Sequence, residues 1–279
     1  MDPRVLLDGL TFPEGPRWHD GRLWFSDFYS RRVLALSLDG RTETMATVDQ
    51  SPSGLGWMPD GDLLVVSMLD RKLLRQHGGR LTVHADLAAL AGGPCNDMVV
   101  DSQGRAYVGN FGYERFQGAA EQPAALIRVD PDGSTHVAAT GLRFPNGSVI
   151  TPDGKTLIVG ETPGNRLTRF SITPDGELAE SRTFALVEGL FPDGICLDGE
   201  GAIWVADPRG NRVVRVREGG EIAQTISLPG RNAYACMLGG TDRRTLFICT
   251  ATGSGPEREG KTDGMIEIIE VAVPGAGLP

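Results

Sequence analysis

Two carboxylates, two carboxamides and a hydroxyl recur at one position of a repeated sequence unit: Glu14, Ser53, Asn96, Asn146 and Asp193. The unit reads FPEGPRWHDGRLWFSD from Phe12, SPSGLGWMPDGDLLVVS from Ser51, GPCNDMVVDSQGRAYVGN from Gly93, FPNGSVITPDGKTLIVGE from Phe144 and FPDGICLDGEGAIWVAD from Phe191. A degenerate sixth copy, AYACMLGGTDRRTLFICT from Ala233, offers a small residue at this position, roughly Ala235. Asn and Asp are good turn formers, and any one of them alone would be explained by that. Four oxygen donors at one repeat position, two of them carboxylates, point instead to a metal. Two anionic groups brought together in an enclosed space repel each other and lose hydration, and a hard cation removes both costs. Glu14, Asn96, Asn146 and Asp193 are therefore the expected ligands of one divalent ion, with Ser53 as a hydrogen-bonding group of the pocket. Oxygen-only ligation favours Ca2+, with Mg2+, Mn2+ or Zn2+ as alternatives.

The elements that would position these groups follow from the repeat itself. The intervals along the series are 39, 43, 50, 47 and 42 residues, which is the period of a propeller blade. Within each unit a short apolar strand meets an Asp-Gly or similar turn and then a second apolar strand, the pattern of a β-hairpin. A third strand follows, as in RVLALSLDG from Arg32 and LTRFSITPDG from Leu167, and a more polar fourth precedes the next unit. The predicted fold is an all-β, six-bladed propeller with four strands per blade, formed by residues 1–279 as one domain. Residues Val5 to Leu10 match the outermost strands that precede the fourth and fifth units, although no earlier blade exists. They are expected to complete the last blade beside GMIEIIEVAV and so to remove open edges, burying Val5, Leu6, Leu7 and Leu10. In such a ring the residue before each innermost strand points into one mouth of the central channel.

Composition narrows the partner. Lysine and arginine total 27 against 36 acidic residues, and a net charge of -9 argues against a nucleic-acid or anionic-membrane surface. A small molecule is the expected partner, and nothing specifies an oligomeric state. The start, MDPRVLLDGLTFPEG, lacks a basic region followed by a long apolar stretch, so a cytoplasmic location is expected. Cys95, Cys196, Cys236 and Cys249 show no CxxC pairing and read as buried free thiols.

Other features bear on the rim. The segment NFGYERFQGAAEQP from Asn110 is longer than its counterparts, carries Tyr113, Glu114, Arg115 and Phe116, and reads as a lid candidate with Tyr113 and Glu114 as substrate contacts. TGSGPEREGKTDG from Thr252 reads as a mobile loop at the same rim. His19, His77, His84 and His136 fall outside the repeated inner position, no GxSxG elbow occurs, and Ser53 has no histidine partner for a triad. Glu161 and Asp207 end second strands, where they either approach the channel or organise turns. Trp18, Trp24, Trp57 and Trp204 read as packing between blades.

The FPEGPRW, CNDMVVD, FPNG and FPDG segments, each followed by a turn and a strand, resemble the family of sugar lactonases that includes gluconolactonases, the senescence-marker lactonase and luciferin-regenerating enzyme, and more distantly the squid-type fluorophosphatase. The resemblance spans essentially the whole chain. It implies a six-bladed propeller with a central divalent ion on Glu14, Asn146 and Asp193, with Asn96 completing the shell directly or through water or substrate. It also implies that Asp193 is the general base. In the animal members an arginine that contacts the sugar stands two residues before the third-blade asparagine, and here that position is Pro94. The expected activity is hydrolysis of a small, sugar-type lactone. The alternatives are hydrolysis of a phosphotriester or fluorophosphate at the same site, and a non-catalytic propeller with a structural ion.

Overall fold

The computed structural model of the chain describes residues 2–279. Six four-stranded antiparallel sheets form a ring, so the repeat is a repeat of blades. An N-terminal strand β1 (Arg4–Leu10) precedes the first blade, which holds β2 (Pro13–His19), β3 (Arg22–Asp27), β4 (Arg32–Leu36) and β5 (Thr42–Thr47). The second blade holds β6 (Pro52–Trp57), β7 (Leu63–Ser67), β8 (Lys72–His77) and β9 (Arg80–Asp86). The third holds β10 (Cys95–Val100), β11 (Ala106–Asn110), β12 (Ala124–Val129) and β13 (Thr135–Leu142). The fourth holds β14 (Pro145–Ile150), β15 (Thr156–Glu161), β16 (Arg166–Ile172) and β17 (Leu178–Leu186). The fifth holds β18 (Ile195–Leu197), β19 (Ile203–Asp207), β20 (Arg212–Val216) and β21 (Ile222–Ser227). The sixth is built from β22 (Asn232–Gly239), β23 (Thr245–Ala251), β24 (Gly264–Glu270) and β1.

Ring closure is as the terminal strand pattern predicts: β1 pairs antiparallel with β24, with Arg4 opposite Ile268 and Leu10 opposite Gly264. Its burial is narrower than expected. Leu10 is buried, but Leu6 and Leu7, though packed against the core, are half-buried and Val5 is exposed, because β1 is the outermost strand of its blade.

Burial follows from position in the blade. The second strands β3, β7, β11, β15, β19 and β23 are sandwiched between neighbouring blades and read as nearly continuous apolar runs, as in LLVVS and IWVAD. The fourth strands lie outermost, and β5 and β21 are mostly exposed. All four cysteines are free and buried. Trp24 and Trp204 are buried between blades, whereas Trp57 is half-buried and stacked on His19, ring centroids 3.8 Å apart.

The innermost strands meet one another in sequence around the channel, β2 to β6, β10, β14, β18, β22 and back to β2. They approach closely because glycine follows the repeated position in most blades. A Cβ on Gly147 would lie 2.5 Å from the Asp193 carbonyl oxygen, and one on Gly194 only 2.4 Å from Ala235 Cβ. The pairing between first and second strands also slips here, between Glu14 and Arg17, Pro52 and Leu55, Cys95 and Met98, and Pro145 and Ser148. Such bulges re-aim side chains, and these sit where the ring residues leave the sheet.

The other end of the channel is covered by the C-terminal tail. Leu278 and Ile150 exchange backbone hydrogen bonds of 2.8 and 2.9 Å, and Ala276 N donates to the Leu197 carbonyl at 3.0 Å. Among the described residues no helix is long and apolar enough to cross a membrane.

Candidate metal and substrate site

The structure gathers the repeated side chains at one mouth of the channel. Ser53 Oγ donates to Asn96 Oδ1 at 3.2 Å, Asn96 Nδ2 donates to Asn146 Oδ1 at 2.8 Å, and Asn146 Nδ2 donates to Asp193 Oδ1 at 2.5 Å. This chain of contacts crosses four consecutive blades. Glu14 completes the ring from the first blade, its Oε2 accepting the Gly15 N–H at 2.9 Å. Glu14, Ser53, Asn96 and Asn146 are buried, and Asp193 keeps partial exposure.

The sixth position differs from the expected Ala235. Gly147 N donates to the Asp193 carbonyl, and the same bond one blade on runs from Gly194 N to the Tyr234 carbonyl at 2.8 Å. Tyr234 is therefore the counterpart of Asp193. The slip of one residue arises because the last unit lacks the glycine that marks the others and carries its own bulge between Ala233 and Ala235. Tyr234 is buried against Phe12, centroids 4.6 Å apart, and its hydroxyl is pushed up to about 12 by burial and by the charges of Asp193 and Glu14.

Electrostatics make the ring receptive to a cation. Burial, then repulsion from Asp193, raises the Glu14 carboxyl well above the usual carboxylate range, opposed by the Gly15 N–H and by Arg17. Burial likewise pushes Asp193 up to about 7, against the Asn146 hydrogen bond and the Arg115 charge. Neither carboxylate has an ion-pair partner among the described residues. A divalent cation fits this donor set, since it offsets both charges and each carboxamide oxygen retains a second lone pair. Among the described residues no three His, Cys, Asp or Glu side chains cluster around a metal position. The Asn96 and Asn146 oxygens would therefore have to supply the rest of the shell. Thiols do not compete, because burial holds Cys95 up at about 12 and Cys236 and Cys249 well above their ordinary value.

Several supporting residues were not apparent from the sequence. Thr162 Oγ1 accepts from Asn146 Nδ2 at 3.1 Å and donates to the Pro192 carbonyl at 2.7 Å, tying Asn146 to the segment that carries Asp193. Arg17 reaches Asp97 Oδ1 at 2.5 Å, and both are buried. Glu161 and Asp207 organise turns. Glu161 accepts from Arg143 N at 2.8 Å and pairs with Arg166, while Asp207 accepts from Phe191 N at 3.4 Å and pairs with Arg212. Asp27 does the same for Phe12 N at 2.7 Å. An acid at the end of a second strand thus holds the Phe-Pro segment before Glu14, Asn146 and Asp193, a shared role that only a blade-by-blade comparison of strand ends would have suggested.

Around the ring stands an aromatic wall of Phe12, Phe28, Phe111, Phe144 and Tyr234. The long β11–β12 loop packs on it through Phe111, 4.2 Å from the Phe144 centroid. Within that loop Glu114 pairs with Arg71 of the neighbouring blade, and the Tyr113 carbonyl accepts from Arg115 N at 2.8 Å. The structure thus brings Asp193, Asn146, Asn96, Ser53 and Glu14 together, and it turns Glu114 toward Arg71. The loop from Thr252 is tied down, with Tyr29 Oη donating to the Gly255 carbonyl at 2.6 Å and Arg258 buried beside Asp263. A depression of about 460 Å³ on the outer strands β13, β16 and β17 lies apart from this ring.

Comparison with known proteins agrees with this architecture. The chain is 31% identical to a 6-deoxy-6-sulfogluconolactonase of Pseudomonas putida, across 99% of this chain and 96% of that protein. It is 27% identical to a pentonolactonase of Haloferax volcanii, across 93% of this chain and 88% of the relative. A solved gluconolactonase from Xanthomonas campestris superposes with a TM-score of 0.74 at 26% identity, covering 99% of this chain and 89% of that one. Residues 12–252 match the SMP-30/Gluconolactonase/LRE-like region. The chain belongs to the SMP-30/gluconolactonase/LRE-like family.

Proposed function

We propose that this chain is a divalent-metal-dependent hydrolase that opens a small, sugar-type lactone. The observation that carries this is the ring itself: at one mouth of the channel stand two carboxylates with no ion-pair partner among the described residues, Asp193 joined to the carboxamides of Asn146 and Asn96 and Glu14 held by the Gly15 N–H. The lactonase names of two relatives aligned over most of both chains supply the reaction class.

Glu14, Asn96, Asn146 and Asp193 would hold the ion, Ca2+ by preference for an all-oxygen shell. When bound, it would polarise the lactone carbonyl and offset the charge that develops on its oxygen. Asp193 is the proton acceptor for the attacking water. It is the ring carboxylate that keeps partial exposure, and Asn146 fixes its orientation at 2.5 Å. Glu14, held by Gly15 N–H, contributes charge, and Ser53 fixes Asn96. The aromatic wall excludes bulk water from the reacting bond.

The test is to strip the protein with a chelator, restore Ca2+, Mg2+, Mn2+ or Zn2+ singly, and assay a panel of aldonolactones beside a phosphotriester. Lactone hydrolysis that is lost on stripping and restored by one ion is expected. Activity that is indifferent to the chelator, or confined to the phosphotriester, overturns the proposal.

A further inference from the structure

The arginines at the mouth fall into two groups. Arg71, Arg166, Arg212 and Arg258 each face a carboxylate, Glu114, Glu161, Asp207 and Asp263 respectively. Arg115 and Arg209 have no ion-pair partner among the described residues and lie instead over aromatic rings. The Arg115 guanidinium is 5.4 Å from the centroid of Phe111, and that of Arg209 is 4.1 Å from Phe191. Both rings belong to the mouth: Phe111 packs on Phe144, two residues before Asn146, and Phe191 stands two residues before Asp193.

The charge balance gives Arg115 a consequence. A dication on Glu14 and Asp193 leaves the floor of the site close to neutral, so the exposed Arg115, stacked on Phe111 of the surrounding aromatic wall, becomes an uncompensated charge at this mouth. The innermost segment of the same blade supplies no cation, since Pro94 stands two residues before Asn96. The loop that carries Arg115 is anchored on both sides, by Glu114 to Arg71 and by Glu121 to Arg143 at 2.7 Å. A cation held in place, stacked and unpaired is arranged to receive an anion from outside the chain. A guanidinium does so with a planar fork that matches phosphate, sulfonate or carboxylate oxygens.

We infer that Arg115 is a specificity-determining residue that selects lactones bearing an anionic substituent remote from the ring carbonyl. This rests on the lactonase proposal and narrows it to one substrate class. The phosphate, sulfonate and carboxylate forms share the recognising chemistry, and the assay separates them.

The experiment compares a neutral six-carbon aldonolactone with the same lactone carrying a terminal phosphate, sulfonate or carboxylate, using the parent, Arg115→Ala, Arg115→Lys and Arg80→Ala proteins. Arg80 is exposed at the start of β9, so its removal changes net charge without touching the mouth. The parent is expected to prefer at least one anionic lactone. Arg115→Ala should lower kcat/KM for it about tenfold or more, the scale of a lost charge-assisted hydrogen bond, while the neutral lactone is unaffected. Arg115→Lys should recover part of the loss, and Arg80→Ala should change nothing. Binding of a 1,5-anhydrohexitol and its 6-phosphate, which have no carbonyl to hydrolyse, is measured in parallel by calorimetry. Arg115-dependent binding of the phosphate without hydrolysis of any lactone would keep the anion site and sink the lactonase proposal. Lactone hydrolysis with Arg115→Ala slowing neutral and anionic substrates equally, or neither, overturns the anion site alone.

Discussion

Arg17 Nη2 of the first blade lies 2.5 Å from Asp97 Oδ1 of the third, and on the way the same guanidinium donates through Nε to the Leu55 carbonyl of the second at 2.9 Å. One side chain therefore fastens three innermost strands directly beside the ring. A buried ion pair contributes little over an apolar pair, but removing one partner strands the other charge at a cost of about 3–5 kcal/mol. Arg17→Met should lower stability by that amount in urea titrations, and Arg17→Met with Asp97→Leu should recover a good part. Equal melting of Arg17→Met and the parent would show that the channel is held by other contacts.

Asp193→Asn keeps an oxygen for the ion but cannot accept a proton. It should retain measurable metal binding by calorimetry while turnover falls by about 10²-fold or more, the usual scale for a lost general base. Near-parental hydrolysis with metal bound would place the base elsewhere.

The raised carboxyls tie stability to pH and to metal. A carboxyl whose folded-state value is raised favours the fold while protonated, fully so below the ordinary range near about 4. That contribution is lost as pH rises through the folded value, about 7 for Asp193, with Glu14 raised in the same direction. In chelator the melting temperature should therefore fall from this source as pH climbs from about 4 to beyond 7. Added Ca2+ should raise it most at the upper end, where protons no longer compete. A calcium-induced rise that is larger at pH 5 than at pH 8 would contradict the assignment of these two carboxylates to the ion.

Thr162 is the clamp between Asn146 and the Pro192 carbonyl. Thr162→Val keeps the volume and deletes both bonds. Outer-shell partners of this kind typically matter by about 10- to 100-fold in metal affinity. Calorimetry should show a loss on that scale, with thermal unfolding in chelator shifted only slightly. Unchanged affinity would mean that Asn146 is oriented by Asn96 and Asp193 alone.

The architecture was legible because a propeller maps sequence period onto space. Each unit becomes one blade, and a residue type at a fixed offset becomes a ring, so Glu14, Ser53, Asn96, Asn146 and Asp193 share one mouth by virtue of spacing alone. Closure was legible for the same reason: Val5 to Leu10 resemble a fourth strand without a blade of its own. Only the tertiary structure decided what departs from the period. Tyr234 takes the sixth position through a bulge that shifts the frame by one residue, and no pattern of residue types marks that shift. Arg17 and Asp97 meet 80 positions apart because the channel is narrow enough for one guanidinium to cross a blade. Glu114 reads from sequence as a residue of a long loop at the rim, and its pairing with Arg71 of the neighbouring blade emerges with the ring. Periodicity fixes which strand a residue occupies and toward which axis it points. Contacts between blades depend on distances that close only when the ring does.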